Sequence, residues 1–408
     1  MKRFILGWTI FIFIGCLNMH AQSIFLSDSV TVSLLTCRPG EEVYALYGHT
    51  ALRVHDLKNG FDFAFNYGVF DFNKPHFIYR FTKGETDYIL GVVETDLFLE
   101  EYRERGSGVI EQILNLSGEE KRRLWESLSV NSLPQNREYR YNFLYDNCST
   151  RPRVMIEKCV SGKIEYPDIL PETTFRTLIH HCNRYYRWLT FGIDLALGAP
   201  IDKPIGQNPQ LFLPEKLMTV FAGAKIVNPD GTSRNLVEKT LYPVSGFPVK
   251  DEPKDSNPTV ICWLFFAVVL ILSAVEIRKR KYFRWLDVSL FLIAGLTGCL
   301  LAFLMFVSVH PGTYPNYSFI WLHPVHLLLV LLLLIRSLRK FAVYYFGIDA
   351  IVLFLFMCGW KFFPQNFNAA FFPPVLTLYI RSAAYVLVQT KLSAERKEHG
   401  KNKRIRHR

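Results

Sequence analysis

Five apolar runs fill the last third of the chain, at residues 259–277, 286–309, 319–335, 341–360 and 370–389. Each is close to the ~20 residues a helix needs to cross a bilayer. One soluble core accounts for one such run but not for five in succession, so residues 258–390 read as an all-α membrane domain of five transmembrane helices. The net charge of +11 matters here through its placement. Five basic residues lie in 278–284, three in 336–340 and eight in the tail 391–408. The intervening connections, 310–317 and 361–369, carry almost none. Basic loops stay in the cytoplasm, so the tail is expected inside and everything before Pro258 outside. Charge concentrated in this way argues against nucleic acid as a partner and for an inner-membrane protein.

The N-terminus agrees with that topology. Met1-Lys-Arg, an apolar stretch from Phe4 to Leu17 and the small Ala21 read as a signal peptide over 1–21, cut before Gln22 or, because Met19 suits a cleavage site poorly, retained as an anchor. Residues 22–257 then form an exported domain with a polar linker. Of the eight cysteines, Cys262, Cys299 and Cys358 fall in spans and Cys16 in the signal. Cys37, Cys148, Cys159 and Cys182 remain, in a compartment where disulfides are permitted. No CxxC or HExxH spacing and no glycine-rich phosphate loop occurs, so neither a metal nor a cofactor is expected.

The exported domain reads as α+β. Tyr47 to Leu57 and Phe61 to Phe70 alternate about Asn59-Gly60, which favours a two-residue hairpin turn. That turn pairs Lys58 with Phe61, Arg53 with Asn66 and His49 with Phe70. One face then carries Leu52, Val54, Phe61, Phe63, Phe65, Tyr67 and Val69 as core. The other carries His49, Ala51, Arg53, His55, Asp62, Ala64, Asn66 and Gly68, where small neighbours leave room beside His49. A strand over Asp87–Val93, a helix over Thr95–Arg105, a strand over Gly108–Leu116 and a helix opened by Ser117 with Glu120 in capping-box spacing follow. Helical pattern recurs from Thr173 to Leu197.

Asn147 reads as an N-cap that places Cys148 in the first turn of a helix. There the helix dipole, with Arg151 and Arg153, favours the thiolate. The plain alternative is that a free cysteine is usually buried and inert. Asp146-Asn-Cys-Ser-Thr-Arg151 is polar on both sides, an odd setting for a packing cysteine. Cys159 and Cys182 have no such setting and default to core or disulfide. His180-His181 rivals His49 as a base but lacks small neighbours.

A histidine at a strand start followed much later by Asn-Cys at a helix start resembles the circularly permuted papain-like enzymes. The motifs Gly48-His-Thr-Ala-Leu-Arg-Val54, Phe65-Asn-Tyr-Gly68, Asp146-Asn-Cys-Ser-Thr-Arg151 and Phe212-Leu-Pro214, with five spans behind them, look like the Bacteroidetes lipoprotein N-acyltransferase family Lnb. The resemblance covers most of the chain. It implies a permuted papain-like periplasmic domain in which Cys148 takes an acyl chain from a phospholipid as a thioester, with His49 as base, and passes it to the α-amine of a diacylated lipoprotein. It also implies a third residue that orients His49. Asn66 is the candidate, yet the expected register leaves it four residues along, roughly 13 Å at ~3.3 Å per residue. A bulge or another turn has to shorten that gap, or Asp71 takes the role. Tyr47, Tyr141, Asn147, Arg151 and the Cys148 N–H are candidates for oxyanion or substrate contacts.

Within the spans, Asp349 and Arg381 are expected to pair. His323 and His326 are expected at the periplasmic end of the third span, as part of a headgroup site or as interface anchors. A membrane-anchored cysteine hydrolase and a non-catalytic binding module are the rival functions. The first is separated by its free-acid or cleaved-peptide product, the second by an unreactive Cys148.

Overall fold

The computed structural model describes residues 26–69, 75–247 and 252–391, and the backbone course of 392–406. The signal segment 1–21, with Cys16, and the positions Phe70 and Asp71 lie outside the described residues. The exported domain is built on a seven-stranded antiparallel sheet of β1 (Thr31–Cys37), β2 (His49–Asp56), β3 (Phe61–Val69), β4 (Asp87–Glu94), β5 (Val109–Leu114), β6 (Glu138–Arg140) and β7 (Val237–Val244). Their order in space is β7-β5-β1-β2-β3-β4-β6, so β2 with its His49 lies at the centre. Helices α1 (Phe77–Lys83), α2 (Thr95–Glu104), α3 (Gly118–Ser132), α4 (Thr150–Cys159), α5 (Phe175–Cys182), α6 (Arg187–Ala196) and α7 (Pro214–Gly223) surround it. Ser117 and Glu120 form the reciprocal capping box that opens α3.

Alternation sorts the sheet residues as expected except at Val69, which lies exposed beyond the bulge at Gly68. Val32, Leu34, Leu52, Val54, Phe65 and Tyr67 enter one core with Leu124 and Leu128 of α3, Ile156 of α4 and Leu217 and Phe221 of α7. The opposite face is covered too: Ala51 and Ala64 lie buried under Phe98, Leu99 and Tyr102 of α2. Burial of each such aliphatic or aromatic side chain stabilises by roughly 1.5–3 kcal/mol.

The hairpin register differs from expectation by two residues. Pairing closes at Asp56↔Phe61, with Arg53 opposite Ala64 rather than Asn66. Asp56 is the cause: its carboxylate accepts from the Asn59 N–H at 3.1 Å and from Asn59 Nδ2 at 2.8 Å, widening the turn to residues 57–60. A two-residue shift preserves both faces and slides Asn66 toward His49. The expected helix over Thr173–Leu197 is also broken in two, at Asn183 to Tyr186 between α5 and α6.

The C-terminal domain is helical, with α8 (Pro258–Lys279), α9 (Arg284–Phe306), α10 (His326–Leu334), α11 (Arg339–Gly359) and α12 (Phe372–Arg406). Four segments among the described residues are long and apolar enough to cross a membrane: 258–279, 284–306, 339–359 and 369–391. The expected span over 319–335 is instead a 3-10 turn, Tyr317–Ile320, and the nine-residue α10. Pro324 between them has no N–H for a helical ladder. This piece still carries the chain from one end of the bundle to the other. Leu333 lines a cleft with Arg284, Arg339 and Gln389 at one end. At the other end residues 309–316 bond the exported domain, Val309 N–H to the Lys83 carbonyl at 2.8 Å and Asn316 Nδ2 to the Leu195 carbonyl at 2.8 Å.

The expected Asp349–Arg381 pair does not form. Arg381, fully buried, donates to Asp287 Oδ1 at 2.6 Å, to Glu276 Oε2 at 2.5 Å and to Ser273 at 2.9 Å. Asp349 instead accepts from the Ser382 hydroxyl at 2.7 Å. Neighbouring helical positions point about 100° apart, so 381 and 382 serve different partners.

Candidate active site

Two backbone constraints deliver the histidine. Gly48 has φ +73°, and a Cβ there would meet the Cys37 carbonyl at 2.8 Å, so only glycine allows β1 and β2 to close at this point. His49 follows as the first residue of β2. On β3 the pairing with β4 shifts between Tyr67 and Val69, a bulge at Gly68, whose φ is +103°. A Cβ on Gly68 would stand 3.7 Å from His49 Cε1 and 3.8 Å from Cys148 Cβ. The room left by small residues beside His49 is therefore filled twice over, by α2 above the alanines and by Cys148 at the glycine.

The cysteine arrives on a loop that Asn147 holds. Asn147 Oδ1 accepts from the Ser149 and Thr150 N–H groups at 2.9 and 3.0 Å, but α4 starts at Thr150 with Ser149 at its N-cap, so Cys148 lies on the loop before the helix and not in its first turn as expected. Its Nδ2 donates to the carbonyls of Phe143 and Phe212, each at 2.9 Å. All of its polar atoms are engaged inside the protein, which makes Asn147 a loop anchor rather than a substrate contact. The Phe212-Leu-Pro214 motif thus ties the two halves: its carbonyl holds the Cys148 loop, and Pro214 packs beside Gly48.

His49 Nε2 lies 2.5 Å from Asn66 Oδ1. That oxygen only accepts, so Nε2 carries hydrogen and Nδ1 is the nitrogen available to the sulfur. The Cys148 thiol faces the imidazole, with the Thr50 N–H and the Ser149 hydroxyl beside it. Thr50 and Ser149 bond each other through their hydroxyls at 3.0 Å. Burial by itself opposes charge on both members of the dyad, and their mutual attraction overrides it. The thiol is held below its ordinary range by the imidazolium, and His49 is raised above its ordinary value by the thiolate and Asn66. Arginine is not the source. Arg151 is paired with Asp146 at 2.7 Å and stacked 3.6 Å over the Tyr139 ring, and Arg153 donates to the Asn208 carbonyl.

The other buried thiols behave differently. Burial pushes Cys37 well above the ordinary range, and raises Cys159 and Cys182, the latter to about 11. All four exported cysteines are free, so none of them forms the disulfide that the exported compartment permits.

Of the aromatic candidates, Tyr141 stacks on Tyr88 at 4.2 Å. Burial and then the Cys148 thiolate raise both phenols, Tyr88 to about 12. Tyr47 turns away, its hydroxyl accepting from Asn183 Nδ2 at 3.0 Å. His180 is bonded to Asp194 at 2.7 Å, and Asp194 accepts from Asn368 of the membrane domain at 2.8 Å. The rival base therefore belongs to the domain interface. His326 is not at a membrane interface: it is fully buried, stacked on His323 at 4.0 Å, with Nε2 3.0 Å from the Trp321 carbonyl and Nδ1 2.9 Å from the Tyr345 hydroxyl. His323, His326 and Asp349 present metal-capable atoms within 4.8 Å of one another, knit by those bonds and by Ser382. Thr50, Ser149 and Tyr88 escaped sequence reasoning. The first two follow His49 and Cys148 inside the quoted motifs, which was signal enough; nothing marked Tyr88.

Residues 18–181 match the family model described as the Lnb N-terminal periplasmic domain, and residues 250–393 match that of the Lnb transmembrane domain. The chain belongs to the Lnb family. Membership makes it a membrane protein with a periplasmic N-terminal domain and a transmembrane C-terminal region, in a family whose domains point to an enzyme that modifies lipoproteins. No curated protein and no solved structure matches it.

Proposed function

We propose that this Lnb-family protein is a lipoprotein N-acyltransferase working through a Cys148 thioester. The observation that carries the reading is a buried thiol set against an imidazole that Asn66 orients at 2.5 Å and that lowers the pKa of the thiol. Cys148 attacks the ester carbonyl of a phospholipid. As the C–O bond breaks, His49 protonates the departing oxygen and a lysophospholipid leaves. The α-amine of a diacylglyceryl-modified cysteine then attacks the thioester, His49 takes its proton, and the thiolate departs as the amide forms. The Cys148 N–H and the Tyr141 hydroxyl serve as oxyanion donors. A thiol only 8% exposed disfavours water as acceptor, and a membrane domain beneath it suits substrates that never leave the bilayer.

The alternation of basic loops supports five crossings, the broken segment 317–338 making the third. The catalytic domain is then periplasmic and the basic tail cytoplasmic.

The test is intact mass of the detergent-solubilised protein after incubation with phospholipid alone. A hydroxylamine-sensitive gain of one acyl chain, absent from Cys148→Ser, is expected, and transfer to a diacylated lipopeptide amine follows. Release of free fatty acid in place of amide would make the protein a hydrolase. No adduct with an unreactive Cys148 sinks both enzyme readings.

A further inference from the structure

The connection between β3 and β4 carries an apolar face that the exported domain leaves open. In α1, Ile78 is 80% exposed and Phe81 49%, with Tyr79 also exposed. Its position identifies what covers it. The Tyr79 ring packs 6.0 Å from that of Phe303 in α9, and the Phe81 ring 6.1 Å from His310. The Lys83 carbonyl accepts from the Val309 N–H at 2.8 Å and the Ser308 hydroxyl at 3.2 Å, and His310 Nε2 lies 2.6 Å from the Phe81 carbonyl. Phe303 is three residues from the end of α9 at Phe306. At ~1.5 Å per residue, Tyr79 therefore sits about 5 Å inside the end of a membrane-spanning helix. Phe306, 64% exposed, and the exposed Val307 and Val309 continue the lipid-facing surface of that helix toward α1. This is the depth at which amphipathic helices lie in the headgroup and acyl boundary.

Both ends of the same connection meet the dyad. β3 supplies Asn66 to His49 and brings Gly68 beside His49 and Cys148. β4 carries Tyr88 as its second residue, stacked on Tyr141 next to Cys148. Basic side chains on the helix point back to the protein, Arg80 to Asp87 at 2.6 Å and Lys83 to Glu85 at 2.7 Å. The face that remains open is apolar.

We propose that α1 is inserted into the outer leaflet of the membrane and forms the lip over which a phospholipid ester passes from the bilayer to Cys148. The lipid contact stands on the packing of α1 alone; the passage to Cys148 rests on the acyltransferase reading.

The test uses the full chain in nanodiscs of phospholipid with photoreactive partners. A benzophenone amino acid replacing Ile78 is compared with one replacing Leu57, which is 76% exposed in the turn at the far end of the β2–β3 hairpin. Cross-linking to lipid at 78 and little at 57 is expected. In parallel, Ile78→Glu is assayed for acylation of Cys148 by vesicle phospholipid and by a soluble short-chain thioester. The ratio of the two rates should fall about tenfold, the scale of one aliphatic side chain removed from an apolar setting. Equal cross-linking at the two positions, or an unchanged ratio, overturns the proposal. A wild type that neither donor acylates counts against the acyltransferase reading instead, and the cross-linking still decides where α1 lies.

Discussion

Two of the places where this molecule buries ionisable groups are closed in different ways. In the membrane bundle every nitrogen of the Arg381 guanidinium is occupied, by both carboxylate oxygens of Asp287, by Glu276 and by Ser273. In the exported domain Cys148 meets His49, Thr50 and Ser149, which together lower its pKa against the effect of burial. The first arrangement saturates a cation so that it can stay in an apolar medium. On the acyltransferase reading, the second favours an anion and leaves the sulfur able to attack an incoming carbon. Saturation marks scaffold, and a charge held with capacity to spare marks chemistry.

The strongest way to break that contrast is at the dyad. Cys148→Ala should abolish thioester formation, and His49→Ala should lower its rate by about 10²–10⁴-fold, the range of a positioned base. Cys148 is buried and His49 half-buried, so unfolding temperature is measured beside the rate, and the loss of rate should far exceed what any fall in stability explains. The same His49 variant reverses the pH behaviour of the thiol. In the wild type each partner favours the charged form of the other, which lowers Cys148 and raises His49. Alkylation of Cys148 should then stay fast down to a pH below that of an ordinary thiol and decline as pH falls through the lowered value. Without the imidazolium, burial alone acts, and the inflection should move to higher pH. Peptide-resolved alkylation measures this against Cys37, which burial keeps protonated. An inflection that stays where it was would mean the pair does not activate the thiol.

At the saturated site the expectation is the opposite. Arg381→Leu strands Asp287 and Glu276 without their cation, and breaking a buried pair of this kind costs about 3–5 kcal/mol. Combining it with Asp287→Asn and Glu276→Gln should recover much of that loss. Thermal unfolding in detergent reads both, and a single variant as stable as the wild type would show that the cluster does not hold the bundle.

Asn66 lies between these extremes. On the proposed mechanism it touches the base and not the reacting atoms, and so acts as a positioning residue. Asn66→Ala should slow acylation about 10–100-fold, in line with loss of an outer-shell partner, and shift the acidic limb of the pH profile as His49 loses a bond that raises it. Asn66→Gln should rescue part of the rate if its longer side chain reaches Nε2. A variant that loses stability but keeps the wild-type pH profile would make Asn66 merely structural.

Asn66 also shows where the sequence could be read and where it could not. Periodicity placed it on the face of His49, and the faces survive a two-residue slip. It left the two residues too far apart, because the slip comes from one side-chain contact, Asp56 to Asn59, that no alternation pattern encodes. Local signals served well elsewhere: Ser117 and Glu120 announced α3, and the apolar runs announced four spans. Long-range partners were the blind spot. Glu276 and Asp287 sit near span ends with nothing in the sequence to mark their partner, yet the helices turn them inward to Arg381. His326 read as an interface residue because Trp321 and His323 precede it, whereas the break at Pro324 carries it into the bundle. The Cys148–His49 pairing was legible because its small and polar neighbours were anomalous in sequence, and anomaly is local.

The smallest effect is expected where a sequence candidate proved to be saturated. Tyr47 sits in the Gly48-His49 motif, but its hydroxyl is committed to Asn183, which is itself fully buried with Oδ1 unpartnered. Tyr47→Phe removes the acceptor of a buried amide N–H, a loss of about 1–2 kcal/mol in stability. Acylation should change by less than about threefold, because the phenol contributes nothing at the reacting carbon. An oxyanion donor behaves otherwise, since its removal costs about 10²–10³ in rate. Thermal unfolding and single-turnover acylation on the same preparation separate the two outcomes. A rate loss of that larger size would move Tyr47 from the scaffold into the chemistry, and would mean that a filled hydrogen-bonding site in the resting protein can be exchanged for the oxyanion when substrate arrives.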